Sequence, residues 1–137
     1  MKALYTATAT AIGGRDGHVS TDDHVLDFDV RTPKGLGGAG EPGTNPEQLF
    51  AAGYAACFGS ALTHVARRQK IEPGNVQITA KISIGPKPPG YGLAAELHIH
   101  LPDLAREQAE ALARAAHEVC PYSNATRGNI EVTLVVD

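Results

Sequence analysis

The longest uncharged segment of the chain runs from Gln48 to Ala66. It is nearly as long as the ~20 apolar residues that cross a bilayer, and it therefore has to be buried by a membrane or by a protein core. The segment contains polar and glycine residues, among them Gly53, Tyr54 and His64. A helix buried in a globular core is the better interpretation, and no membrane partner is predicted.

Signals at both ends of this segment predict a helix from about Thr44 to Lys70. Thr44 and Glu47 have the spacing of a capping box, and Pro46 fits the first helical turn. Basic residues close the segment, where they complement the negative end of the helix dipole. The middle of the helix is rich in alanine around Cys57, so other backbone can approach it closely, and we expect a central helix.

Alternation of apolar and polar residues predicts strands on both sides of this helix. The clearest are Val76 to Ile84 and Leu93 to Leu101, which the turn-rich segment from Gly85 to Gly90 would join as a hairpin. Further strands are expected over 4–12, 25–32 and 130–136.

A second helix is predicted from about Asp103 to Val119, with Asp103 as its N-cap and Pro121 preventing continuation past Cys120. Its apolar stripe would comprise Ala105, Ala109, Leu112, Ala116 and Val119. The order strands, helix, hairpin, helix, strand predicts an α+β fold with mainly antiparallel sheet. The length of 137 residues is that of a single domain, 1–137.

The charge balance excludes one broad class of function. Asp and Glu number 15 against 12 Lys and Arg, so the chain lacks the basic excess that neutralises nucleic-acid phosphates. Aromatic residues make up only 5% of the chain, which is too few for a base-stacking surface. No continuous apolar stretch follows Lys2, so we expect no export signal.

Three motifs suggest ligands but have simpler interpretations. The segment from Gly35 to Gly40 matches GxGxxG, yet Pro42 delays the next helix, and a flexible loop is favoured over a dinucleotide site. His98 and His100 share the polar face of a strand, where solvation is favoured over metal binding. A three-ligand zinc site of His117, Cys120 and Cys57 stays open as an alternative.

The two cysteines, Cys57 and Cys120, lie 63 positions apart. In a reducing compartment a static bridge is not expected, so the thiols are either inert or reactive. Cys57 is mid-helix, whereas Cys120 falls at a helix end, where a thiol can be accessible. Arg15, in a glycine-flanked turn, and Glu47, at a helix start, would on their own be a surface arginine and a capping acid.

A family resemblance is carried by three segments of the chain, 9–17, 43–58 and 116–132. The tripeptide Leu36-Gly37-Gly38 precedes the second of these segments. In order and spacing the chain resembles the organic hydroperoxide resistance proteins, a branch of the osmotically inducible protein C (OsmC) superfamily. The sequence Val-Cys-Pro-Tyr-Ser around Cys120 is similar to that of this branch.

The resemblance implies an OsmC-like fold of antiparallel sheets and two main helices, assembled as an intertwined homodimer. It implies a cytoplasmic, thiol-dependent peroxidase that reduces organic hydroperoxides to alcohols in defence against oxidative stress. No cofactor would be bound, and the implied reductant is a dihydrolipoyl dithiol on lipoylated proteins. In this sequence Cys57 would be the peroxidatic cysteine, Cys120 the resolving cysteine, and Arg15 and Glu47 the residues that activate Cys57.

Such chemistry needs a thiolate, and a thiol of pKa ~8.5 is only a few per cent ionised at neutral pH. A sheltered guanidinium from Arg15, held by a bidentate contact with Glu47, would favour the thiolate of Cys57. Glu47 and Cys57 are ten residues apart, which on a straight helix is ~15 Å. We therefore expect the Arg15–Glu47 pair to meet Cys57 across a dimer interface.

The apolar residues Phe58 and Leu62, beside Cys57, are expected to favour alkyl hydroperoxides over hydrogen peroxide. Two other classes of function remain as alternatives. One is a small-molecule or metal-binding module with inert thiols, and the other is a peroxide sensor that signals without turnover.

Overall fold

The computed structural model describes residues 1–137, which form two compact units, 1–49 and 50–137. The first unit contains an antiparallel sheet of β1 (Ala9–Ile12), β2 (His18–Thr21) and β3 (Asp27–Asp29), in the order β1-β2-β3. The expected strands over 4–12 and 25–32 are therefore present but shorter. Strand β2 was not predicted, because its one aliphatic residue, Val19, gives no alternating pattern.

Helix α1 (Pro46–Arg68) begins differently from the prediction. The side chain of Asn45 accepts the backbone N–H of Gln48 at 2.8 Å, so Asn45 is the N-cap. Thr44 donates to the side chain of Gln48 at 3.0 Å, and the predicted Thr44–Glu47 capping box is wrong. Asparagine caps as well as threonine does, and Asn45 stands directly before Pro46, which favours the first helical position.

The second unit contains a mixed three-stranded sheet. It begins with β4 (Gln77–Lys87) and β5 (Gly90–His100), which pair antiparallel and confirm the predicted hairpin. Strand β6 (Glu131–Val136) pairs with β5 in parallel, so the expectation of antiparallel sheet is wrong for this pair. The chain returns to the sheet through two helices, α2 (Arg106–Val119) and α3 (Pro121–Thr126), and such a crossover permits parallel pairing.

Helix α2 has no side-chain cap at its start. Asp103, the predicted N-cap, instead accepts the backbone N–H of Asn75 at 2.8 Å, and α2 begins three residues later at Arg106. Pro121 ends α2 as predicted and also opens α3, where its missing N–H is not needed.

The apolar stripe of α2 is shifted slightly from the predicted one. Ala109, Leu112 and Ala116 are buried as expected, and Ala113 joins them. Ala105 and Val119 are exposed, because Ala105 precedes the first turn and Val119 lies at the last residue of the helix.

The core of the second unit is built around the buried face of α1. Tyr54, Phe58 and Leu62 on that face belong to one apolar cluster with Leu97 of β5 and Leu112 of α2. By length and composition α1 is apolar enough to cross a membrane, but in this fold it is the core helix. The predicted central helix carrying Cys57 is thereby confirmed.

Candidate functional site

The two cysteine sulfurs lie close together in the second unit. Cys57 is on α1, and Cys120 links α2 to α3. Both thiols are free, and Cys120 Sγ donates to Cys57 Sγ at 3.6 Å. A disulfide needs ~2.05 Å between the sulfurs, so oxidation of the pair together with an approach of about 1.6 Å would bond them.

The expectation that a helix end makes the Cys120 thiol accessible is wrong. Cys120 is fully buried, whereas Cys57 is partly exposed. The turn after α2 does not expose Cys120 because α3 begins at once and the residue belongs to the core cluster. A solute can therefore reach Cys57 first.

The surroundings of Cys57 within its own unit favour the neutral thiol. Burial raises the pKa of Cys57 above its ordinary value of 9.0, and the backbone N–H of Tyr122, which donates to the sulfur, lowers it. The hydrogen bond from Cys120 raises the pKa of Cys57 further. Ionisation near neutral pH thus needs a cation in addition to these groups.

Cys57 opens into a cavity of about 410 Å³. The other lining residues are Ser60, Ala61, His64, Val119 and Pro121. Phe58 and Leu62, the expected apolar neighbours, are fully buried in the core instead, so that prediction is wrong in its residues. Positions 60, 61 and 64 share the helix face of Cys57, whereas 58 and 62 lie on the core face. The apolar wall is formed by Ala61, Val119 and Pro121.

A buried hydrogen-bond network that was not predicted from the sequence joins side chains of α1, α2 and α3. Ser123 Oγ is 2.8 Å from Tyr54 Oη and 2.8 Å from His117 Nδ1, and Thr126 Oγ1 is 3.3 Å from Tyr54 Oη. Tyr54, Ser123 and Thr126 are all buried. The available signal was the spacing, since Tyr54 and His117 each precede a cysteine by three residues.

Arg15 and Glu47 form a bidentate ion pair in the first unit. Arg15 Nη1 donates to Glu47 Oε2 at 2.8 Å, and Nη2 donates to Oε1 at 2.6 Å. The hydrogen bond with Glu47 raises the pKa of Arg15, and the same bond lowers the pKa of Glu47. Both groups are therefore charged at neutral pH, and the planar guanidinium is held in a fixed orientation.

The turn that carries Arg15 depends on a glycine. Arg15 lies in a short 3₁₀ turn, Gly14–Asp16, followed by Gly17. A Cβ at position 17 would lie 1.7 Å from the carbonyl oxygen of Ile12, which no side chain tolerates. The backbones at Ile12 and Gly17 therefore approach so closely that only glycine fits directly after the turn that carries Arg15.

The ligand-binding alternatives gain no support from the geometry. No three His, Cys, Asp or Glu side chains are grouped so that they would hold a metal ion. His117, a member of the zinc alternative, is hydrogen-bonded to Ser123, and His98 is bonded to Glu96. The glycine-rich segment 35–40 overlaps a 3₁₀ turn, and the next helix begins only at Pro46.

Comparison with known proteins gives a consistent result along the whole chain. Residues 37–135 match the family described as OsmC-like protein. The chain is 54% identical over 136 residues to an organic hydroperoxide resistance protein of Xanthomonas axonopodis pv. citri, covering 98% of this chain and 96% of the relative. It is 53% identical over 137 residues to the organic hydroperoxide resistance protein OhrB of Bacillus subtilis, covering 96% and 97%.

Solved structures show the same fold. The crystal structure of an organic hydroperoxide resistance protein from Legionella pneumophila has a TM-score of 0.95 and 55% identity, covering 99% of each chain. That of OhrB from Bacillus subtilis has a TM-score of 0.92 and 52% identity, covering 98% of this chain and 100% of the other. The predicted OsmC-like fold is confirmed.

Proposed function

Because the chain belongs to the organic hydroperoxide resistance proteins of the OsmC-like family, we propose that it is a cysteine-based peroxidase that reduces organic hydroperoxides to alcohols. The observation that carries this proposal is the pair of thiols 3.6 Å apart. Cys57 opens into a cavity with an apolar wall, and the sulfur it lies beside, that of Cys120, is buried.

The proposed cycle uses the two thiols in sequence. The thiolate of Cys57 attacks one peroxide oxygen, the O–O bond breaks, and the leaving alkoxide takes a proton to become the alcohol. Cys57 is left as a sulfenic acid. The sulfur of Cys120 attacks the sulfur of Cys57, the S–S bond forms, and the hydroxyl leaves with the Cys120 proton as water. The exposed thiol thus meets the peroxide, and the buried thiol resolves the product.

A dithiol then has to reduce the Cys57–Cys120 disulfide. We assign this step to a dihydrolipoyl group on a lipoylated protein, which attacks one sulfur, forms a mixed disulfide and closes to its own cyclic disulfide. Both cysteines return as thiols, and no bound cofactor is required. Such an exchange belongs in a reducing compartment, and we assign the protein to the cytoplasm.

Arg15 is our candidate for the cation that ionises Cys57. Burial raises the pKa of Cys57, and a guanidinium 4 Å from a sulfur in a partly sheltered site would contribute about 4 kcal/mol, or about three pKa units. Glu47, whose side chain is 13% exposed, holds the guanidinium by two hydrogen bonds. In this arrangement Glu47 orients Arg15 and does not itself face the sulfur.

We further propose that both units belong to one domain, 1–137, and that two copies of the chain form an intertwined homodimer. Within residues 1–49 only Val30 and Asn45 are buried. Large apolar side chains of this unit are exposed, namely Leu4, Tyr5, Ile12, Val25, Leu26 and Phe28. Apolar surface on this scale is typical of an interface, and a second copy of the chain is the proposed cover.

The ten-residue spacing of Glu47 and Cys57 leads us to place Arg15 opposite the Cys57 of the partner. Mixing two inactive variants tests this arrangement. If Arg15→Glu and Cys57→Ser chains exchange freely, heterodimers hold one intact site, and activity should return to about a quarter of the wild-type value. No recovery, with heterodimers verified by native mass spectrometry, would contradict a shared site.

Steady-state kinetics test the proposed activity. With a lipoylated protein as reductant, we expect turnover of linoleic acid hydroperoxide with a kcat/KM well above that for hydrogen peroxide, because the cavity wall is apolar. Cys57→Ser should be inactive with both. Equal efficiency towards the two peroxides would defeat the proposed selectivity, and oxidation of Cys57 without turnover would favour the sensor alternative.

A further inference from the structure

One buried network connects the helical turns that precede both cysteines. Tyr54 lies three residues before Cys57 on α1, and His117 lies three residues before Cys120 on α2. Ser123 of α3 joins them, with its hydroxyl oxygen 2.8 Å from each. The three helices that carry or flank the sulfurs are therefore tied together at a single side chain.

The protons of this network can be assigned by elimination. The carbonyl oxygen of Ser123 has no proton to give, so Thr126 donates to it at 3.2 Å. Tyr54 must then supply the proton for its contact with Thr126, and Ser123 must supply the one for its contact with Tyr54. The remaining contact needs a proton on His117 Nδ1.

The state of the imidazole agrees with this order. Burial lowers the pKa of His117, and the charge of Arg127 lowers it further, so the ring is neutral at pH 7 and carries one N–H. Arg127 also donates to the carbonyl oxygen of His117 at 2.6 Å, which holds the last turn of α2. In a neutral imidazole, a proton on Nδ1 leaves Nε2 unprotonated.

We propose that the network of Tyr54, Ser123 and His117 positions the two sulfurs for disulfide formation, with the proton of His117 on Nδ1. This inference rests on the proposed peroxidase function. The sulfurs must close from 3.6 Å to ~2.05 Å, and a fixed spacing of the helices limits the search for that geometry. The first step, attack of Cys57 on the peroxide, precedes this approach and does not depend on it. These three are positioning residues, since they act through the cysteines.

Two variants separate the steps. Tyr54→Phe removes only a hydroxyl and leaves the ring that lies edge-on to Phe50, and Ser123→Ala removes the hub. Quenched-flow mass spectrometry with one equivalent of hydroperoxide measures both steps. We expect unchanged formation of the Cys57 sulfenic acid and disulfide formation about ten- to a hundredfold slower. The longer-lived sulfenic acid should also be oxidised further to sulfinic acid under excess hydroperoxide.

Matched controls test whether the hydroxyl groups themselves matter. Tyr91→Phe removes the hydroxyl of a tyrosine that is 71% exposed, and this variant should form the Cys57–Cys120 disulfide at the wild-type rate. Thr126→Ser keeps the donor to Ser123 and should also retain the rate, whereas Thr126→Val should slow it. Circular dichroism and thermal unfolding identify variants that fail to fold, and Tyr54→Phe is chosen because its core ring is kept.

Nitrogen NMR of His117 reports which ring nitrogen carries the proton, and a purely structural role of the network would not change that position. The wild type should show the proton on Nδ1, and Tyr54→Phe should shift it towards Nε2, because Ser123 can then donate to the imidazole. Wild-type rates of disulfide formation in folded Tyr54→Phe and Ser123→Ala would overturn the inference. So would an NMR spectrum of the wild-type protein that places the His117 proton on Nε2. These results would leave the peroxidase proposal intact, whereas a wild type that forms no sulfenic acid and no disulfide would overturn both.

Discussion

Substitution of Gly53 by alanine tests the packing beside the sulfurs. A Cβ at this position of α1 would lie 2.6 Å from Tyr122 Oη and 3.1 Å from its Cζ. Ordinary contact begins at 3.4 Å, so the tip of the tyrosine ring must retreat by about 0.8 Å. The same residue donates its backbone N–H to Cys57, which makes its position relevant to the site.

Two opposing effects determine how much Gly53→Ala changes the free energy of unfolding. Alanine is favoured over glycine in a helix interior by about 1 kcal/mol. The ring of Tyr122 contacts Phe50 and Tyr54 at centroid distances of 5.8 and 5.6 Å, and each such pair contributes ~0.5–1.5 kcal/mol. Because the crowding affects both pairs, we expect Gly53→Ala to lower the free energy of unfolding by about 1 kcal/mol overall.

Urea unfolding of four variants gives a sign test. Gly59→Ala is the matched control on the same helix, since its Cβ would meet Ile78 at an ordinary 3.5 Å, and it should stabilise the protein by up to about 1 kcal/mol. In a Tyr122→Ala background Gly53→Ala should also stabilise. If Gly53→Ala alone stabilises the wild-type chain as much as Gly59→Ala does, the proposed crowding is refuted.

Three further predictions concern charged pairs of the first unit. Arg15→Lys keeps the charge but loses the bidentate geometry with Glu47, and stopped-flow oxidation of Cys57 should slow by about three- to tenfold; an unchanged rate would contradict the role of Arg15. Because Arg15 lowers the pKa of Glu47, the stabilisation from this pair is present at neutral pH and should be lost as the pH falls through the lowered value. The stability contributed by His18 depends on pH in the opposite direction, because hydrogen bonds with Asp29 and Asp27 raise the pKa of its imidazole. This stabilisation is complete below pH 6.5 and is lost as the pH rises through the raised pKa. An NMR titration of His18 should give a midpoint above 6.5 that moves down in Asp29→Asn, and a midpoint at or below 6.5 would contradict the pairing.

The parts of the fold that the sequence predicted are those encoded by local periodicity. The β4–β5 hairpin alternates over its whole length, and the uncharged segment around Cys57 is long enough to require a buried helix. The parallel pairing of β6 was not predictable in this way, because its alternation is the same for either strand direction. Helix ends were uncertain for a similar reason, since Thr44 and Asn45 are both good caps and only the fold decides between them.

The residues of the candidate site also differ in whether local sequence could predict them. Cys57 and Cys120 were identified from residue type and family resemblance, but their relative exposure depends on how α3 covers the end of α2. The contact of Ser123 with Tyr54 joins residues 69 positions apart, and no local pattern encodes such a pair. Residues whose roles arise from distant contacts were therefore the ones that sequence reasoning missed.

In the proposed cycle the partly exposed sulfur of Cys57 reacts with an organic hydroperoxide, and the buried sulfur of Cys120 then bonds to it. Intact mass spectrometry after one equivalent of cumene hydroperoxide tests it most directly. The wild-type chain should lose two hydrogens, with peptide mapping placing the disulfide between Cys57 and Cys120, and Cys120→Ser should instead gain one oxygen on Cys57. An unchanged mass, or an oxygen carried by Cys120 in the wild type, would contradict the account.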